Sequence, residues 1–323
     1  LNQRELGDVA PQGIGDIIGL AFRITRTNLV SIFRYILVPS LCTLAVTIMF
    51  ELLGHYGASY VAETKNIAAA IIMALLFLVG VFLSALTWWF LGLRLLSLVR
   101  FILGFSPTLE DASKNMMRRA WPLVGLNALA SLIIGGISTF AIVFIVIIVA
   151  LGAALSAVLG PFVTVLTTAL GIIVGFSLLI FAAGFYVFMN CVYACEEQPV
   201  GAVLGRAWQL STSHIFRFIW FSLVFYVVYC IINYPLSLPI LIATAADVFR
   251  YQMSGGVTAL GPYKQPLYLL IFTSTWGTGM GFIMRPLFLF GFAFLYYDLR
   301  LRQDGIDIRR KLEALKSALL ANA

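Results

Sequence analysis

IAAAIIMALLFLVGVFLSALTWWFLGL, Ile67 to Leu93, is an unbroken apolar run without a single charged side chain. At about 1.5 Å of rise per residue this stretch extends some 40 Å as a helix, longer than the roughly 30 Å of a bilayer's hydrocarbon core. A strand that crossed a membrane would instead show a short run of alternating polarity. Five further runs of the same kind lie near residues 30–53, 123–150, 162–190, 218–243 and 267–295. The reading is therefore an all-α integral membrane protein with six transmembrane helices.

Composition agrees. Of 323 residues 61% are hydrophobic and only 11% charged, a balance that leaves too little polar surface for a water-soluble fold. The polar stretches between the runs are too short to bury cores of their own. The net charge of +7 belongs to topology and to anionic headgroups rather than to nucleic acid. The polar arm at Leu1 has no signal-peptide pattern, and a start at Leu rather than Met points to residues upstream.

The basic residues are distributed one-sidedly. Beside the N-terminus and in every second connection lie Arg4, Arg23, Arg26, Arg34, Arg94, Arg100, Lys114, Arg118, Arg119, Arg206 and Arg217, followed after the last run by Arg300, Arg302, Arg309, Arg310, Lys311 and Lys316. The opposite connections hold only Lys65, Arg250 and Lys264. Positive charge stays cytoplasmic, so both termini are expected inside, N-in and C-in, which an even number of spans requires.

The approaches to spans one, three and five resemble one another. GDIIGLAFRIT from Gly15 aligns without gaps with GAVLGRAWQLS from Gly201, pairing Gly15 with Gly201, Gly19 with Gly205, Ala21 with Ala207 and Phe22 with Trp208. PTLEDASKNMMRRAWPLV from Pro107 repeats the plan of a turn, an amphipathic helix and then Trp121. Each segment reads as an interfacial helix, basic side toward headgroups and ring toward the acyl boundary, leading into a transmembrane hairpin. The single membrane domain then divides into units near 13–105, 106–197 and 198–305, with a cytoplasmic tail over 306–323. All three units run in one orientation, unlike the inverted repeats of many secondary transporters.

The last run exits as LYYDLRLRQDGIDI, Leu295 to Ile308, with Tyr296 and Tyr297 expected in the interfacial aromatic belt beside Phe22, Trp121 and Trp208. Together with QPVGAVLGRAWQLS, Gln198 to Ser211, and the six-span plan, this exit resembles the membrane domain fused to some bacterial glycerophosphodiester phosphodiesterases and that domain's stand-alone relatives. The resemblance implies the fold and a bacterial inner-membrane location. It implies no catalytic residue, because the fused barrel that carries that chemistry has no counterpart in this chain.

No residue set reads as catalytic, cofactor-binding or metal-binding. His55 and His214 stand far apart without a carboxylate cluster, and Cys42, Cys191, Cys195 and Cys230 read as reduced packing residues. Two adjacent acidic pairs, Glu110 with Asp111 and Glu196 with Glu197, read as complements to helix N-termini. Gly171 and Gly175, and the Gly277 to Gly281 cluster, read as close helix packing or, for the cluster, local unwinding. Asn233 to Pro239, NYPLSLP, carries two prolines four apart and reads as a helix break or as a kink that improves packing. Arg285 is the one basic residue well inside a span, about 20 Å along the helix from Asp298. An intramembrane cation has partners, so Arg285 and Asn233 are the intramembrane polar anchors. The expectation is a non-enzymatic accessory or scaffold subunit that contacts membrane lipids and other integral membrane proteins. The alternative is a transporter or lipid-handling protein with a cavity near Arg285 and the Asn233 to Pro239 break.

Overall fold

A computed structural model of the chain describes residues 13–57, 60, 67–253 and 266–304. The N-terminal arm, Lys65, Lys264 and the tail lie outside these residues. Nine α-helices account for nearly all that is described: α1 (Ile14–Thr27), α2 (Leu29–Leu52), α3 (Ile67–Ile102), α4 (Leu109–Arg118), α5 (Ala120–Leu159), α6 (Pro161–Cys195), α7 (Val200–Ser213), α8 (Ile215–Met253) and α9 (Leu267–Asp304). There are no strands among the described residues. Six of the helices, α2, α3, α5, α6, α8 and α9, are long and apolar enough to cross a membrane. The chain is an all-α, multi-pass membrane protein.

The long helices overrun the apolar stretches that announce them; α5 has 40 residues, where about 20 would cross the hydrocarbon. Contacts divide the chain into two compact units. One comprises the described parts of Leu1–Ile24, Leu96–Val227 and Phe288–Ala323, the other Thr25–Leu95 and Val228–Leu287.

The three short helices each bury one stripe. Ile17, Ala21 and Thr25 are buried on α1, and Val203, Ala207 and Ser211 on α7. The offset is the one that aligns Gly15 with Gly201, and it continues into the spans: Ile32 and Ile36 are buried, as are Phe218 and Ser222. Ala112, Met116 and Ala120 carry the same four-residue spacing on and after α4. Helix α4 begins at Thr108, whose hydroxyl accepts the Asp111 backbone N–H at 3.1 Å. Glu110 and Asp111 fill its first turn, as complements to the helix dipole do.

Helices α5 and α6 form an antiparallel hairpin whose turn is Gly160, in the left-handed region at φ +89°, followed by Pro161 at the start of α6. The two glycines of the GxxxG form its seam. A methyl at Gly175 would lie 2.3 Å from the end of Ile145, and one at Gly171 3.1 Å from Ile148. Further down α6 the packing is aromatic: Phe188 meets Phe218 of α8 edge-on at 5.2 Å, and Phe221 of α8 in turn meets Phe292 of α9 at 5.4 Å. Many of the phenylalanines thus fill protein core rather than face lipid.

Two stretches lose one of the readings given above. The Asn233 to Pro239 stretch is no break, since α8 continues through both Pro235 and Pro239. A proline removes one N–H donor and helix packing can hold the strand of backbone in place; the Trp276 indole donates to the Leu236 carbonyl at 2.7 Å, and the Ser237 hydroxyl to that of Tyr234 at 2.8 Å. The Gly277 to Gly281 cluster likewise lies in continuous helix, with no unwinding.

Candidate functional site

The first unit gathers a dense ionic cluster around the end of α6. Helix termini leave carbonyls without partners, and positive charge suits a C-terminus. Two arginines exploit this. Arg100, near the end of α3, donates to the Ala194 carbonyl at 3.1 Å, to the Ser106 hydroxyl at 2.9 Å and to the Glu197 carboxylate. Arg119, between α4 and α5, donates to the carbonyls of Tyr193 and Glu196, each at 2.9 Å. Its guanidinium lies 4.1 Å from the Tyr193 ring centre, and the Tyr193 hydroxyl returns a bond to the Arg119 carbonyl at 2.6 Å. Apart from the bond to Ser106, these span 74 to 97 residues of sequence.

Glu196 and Glu197 therefore do not complement a helix N-terminus. They follow the last residue of α6 and precede α7, at an end where negative charge is unfavourable and has to be offset. Glu196 is buried, receives the Tyr296 hydroxyl at 2.9 Å and lies 3.6 Å from Arg206. Arg206 also makes a two-pronged bond to Asp304, both at 2.7 Å. Burial works against charge on Arg206, but the Asp304 and Glu196 carboxylates outweigh it and hold its pKa above the ordinary value. Glu197 is exposed on its outer side, and the Arg100 hydrogen bond, helped by Asn115, holds its carboxyl below the usual range. A second group centres on buried Asp298, which takes Arg217 at 2.8 Å and Arg302 at 3.0 Å.

The cluster holds its charges against one another and against helix-end carbonyls. Its arginines, read from sequence only as topological markers, cap α6 and tie α3, α4, α7 and α9 to it. Among the described residues no three of His, Cys, Asp and Glu are grouped to hold a metal.

The aromatic expectations divide. Trp121 and Trp208 are well exposed and Phe22 and Tyr297 half-buried. Trp208 sets its edge against Phe185 at 5.8 Å and borders an open apolar groove of about 570 Å³ over Phe140, Ile173 and Phe181. Tyr296 is not in an interfacial belt: it is fully buried, because its hydroxyl serves Glu196.

In the second unit Arg285 is half-buried and lies 4.1 Å above the Trp88 ring. Gly281, one turn earlier, makes room for it, for a methyl there would fall 3.1 Å from its Nε. Neither acidic residue of this region reaches it: Glu51 accepts the Ser274 hydroxyl and Asp247 the Tyr268 hydroxyl at 2.8 Å. Asn233 is half-buried. Arg94, in the same unit, lies 4.9 Å above the Tyr35 ring.

Fold and site together define a helical multi-pass membrane protein with a dense cluster of arginines and carboxylates at the end of α6. The chain matches no family model, no curated protein and no solved structure.

Proposed function

We propose that this chain is a non-enzymatic scaffold subunit of a larger assembly in a bacterial inner membrane, with six spans and both termini cytoplasmic. The observation that carries the reading is how little of two spans the chain itself covers. Only 6% of the most apolar stretch of α3, and 6% of that of α5, is buried, against 56% for α9. Such helices leave long faces that the spans of a partner can cover in place of lipid. The ionic cluster supports the same reading, since its charged groups are engaged with one another and with backbone carbonyls. The shared burial spacing of α1, α4 and α7 supports a threefold repeat over 13–105, 106–197 and 198–305. The likeness to the membrane domain of glycerophosphodiester phosphodiesterases supports the location.

Purification from native membranes in a mild detergent tests the role. A stoichiometric integral membrane partner is expected. A lone chain that carries a bound solute instead would favour the transporter reading and overturn this one.

A further inference from the structure

Within the second unit three side-chain contacts mark levels along the helices. Glu51 and Ser274 meet at one level, Trp88 and Arg285 at the next, Tyr35 and Arg94 at the third. At 1.5 Å per residue, Ser274 to Arg285 spans about 16 Å and Trp88 to Arg94 about 9 Å. On α2, Glu51 to Tyr35 spans about 24 Å, so the intervals agree along three helices. Arg285 therefore lies not at mid-depth but about 9 Å inside the level of Arg94 and of Arg34, the neighbour of Tyr35. That is within the reach of a long side chain that snorkels toward headgroups.

A guanidinium carries five N–H donors. Among the described residues no carboxylate lies within 4.0 Å of Arg285, and none of its N–H groups meets a protein acceptor. Its one face rests on Trp88, which is 49% exposed. A charge left so in a membrane is costly unless an anion or water completes it. The ring and Gly281 fix the plane of the guanidinium and leave its edge to bind, the geometry that suits a phosphate oxygen pair. We infer that Arg285, seated on Trp88, binds the phosphate of an anionic lipid from the leaflet on the side of Arg34 and Arg94.

The full chain in detergent, titrated with phosphatidylglycerol or phosphatidylcholine and read by native mass spectrometry and thermal unfolding, tests this. Surface arginines attract anionic lipid too, so the readout is the difference between wild type and variants. Wild type should prefer phosphatidylglycerol by about tenfold more than Arg285→Met does, the size of one charge-assisted hydrogen bond. Arg285→Lys should keep part of the preference. Trp88→Leu, which retains the charge and removes its seat, should weaken it, and it serves if Arg285→Met fails to fold. Equal preference in wild type and both variants would overturn the site. So would an Arg285-dependent stabilisation by inorganic phosphate as large as that by the lipid, or Arg285-dependent retention of an acidic protein partner with no lipid preference.

Discussion

Replacing Arg100 with Met removes three bonds at once and keeps an apolar side chain of similar length. The Arg100 side chain is only 8% exposed, whereas its partner Glu197 is 60% exposed. The two halves of this contact therefore differ in worth. Hydrogen bonds from a charged donor to buried groups contribute about 1.5 to 3 kcal/mol each, so the loss of Ala194 and Ser106 costs roughly 3 to 5 kcal/mol after partial relaxation. The ion pair to exposed Glu197 adds at most about 1 kcal/mol, since water screens it. Glu197→Gln, which deletes only that charge, should accordingly cost under about 1 kcal/mol. Equilibrium unfolding of both variants in one detergent, with α6 fluorescence or protease protection as readout, measures the ratio. If Arg100→Met costs no more than Glu197→Gln, the arginine does not cap α6 and the account of the cluster is wrong.

The Glu197 carboxyl is held below its ordinary 4.5 by Arg100. A lowered folded-state pKa contributes stability above the unfolded value and loses it as pH falls through the folded one, so wild-type stability should fall faster than that of Glu197→Gln below about pH 4.5, as acid titration of unfolding would record. A methyl at Gly291 would lie 2.5 Å from the buried Phe225 ring, so Gly291→Ala should cost about 1 to 3 kcal/mol. Gly279→Ala, with open space at its Cβ, should be neutral or stabilise by up to about 1 kcal/mol, both variants being read by the same equilibrium unfolding. In a chain cleared of native cysteines, cysteine at Asn115 or Ser213 should resist an impermeant thiol reagent in intact cells while cysteine at His55 reacts; the reverse pattern would invert the proposed orientation.

The span helices were legible because hydropathy is a local property: a run such as 67–93 declares itself without knowledge of its neighbours. The GxxxG of α6 was legible for the same reason, as was the acidic first turn of α4. The ionic cluster was not. Glu196 and Tyr296 are 100 residues apart and Arg100 and Ala194 are 94 apart, so no local pattern joins them, and each arginine had a sufficient explanation in topology. Tyr296 was misread because an aromatic beside charges has the composition of an interfacial belt whichever way it points. The choice between a kink and a break at the prolines of α8 was not legible, since the bonds from Trp276 and Ser237 that steady the backbone there are not revealed by the proline positions. Arg285 was found, but its depth was counted from Asp298 along one helix; three helices counted together place it nearer the basic side.

The scaffold role rests on the uncovered faces of α3 and α5, and photo-crosslinking in native membranes tests it most directly. A benzophenone amino acid would be placed at Leu78 on α3 and Val143 on α5, both exposed, and at buried Leu96 as control. The account predicts discrete adducts to one integral membrane protein from Leu78 or Val143, reproduced from the partner's side, and none from Leu96. Adducts to lipid alone from both exposed positions would contradict it.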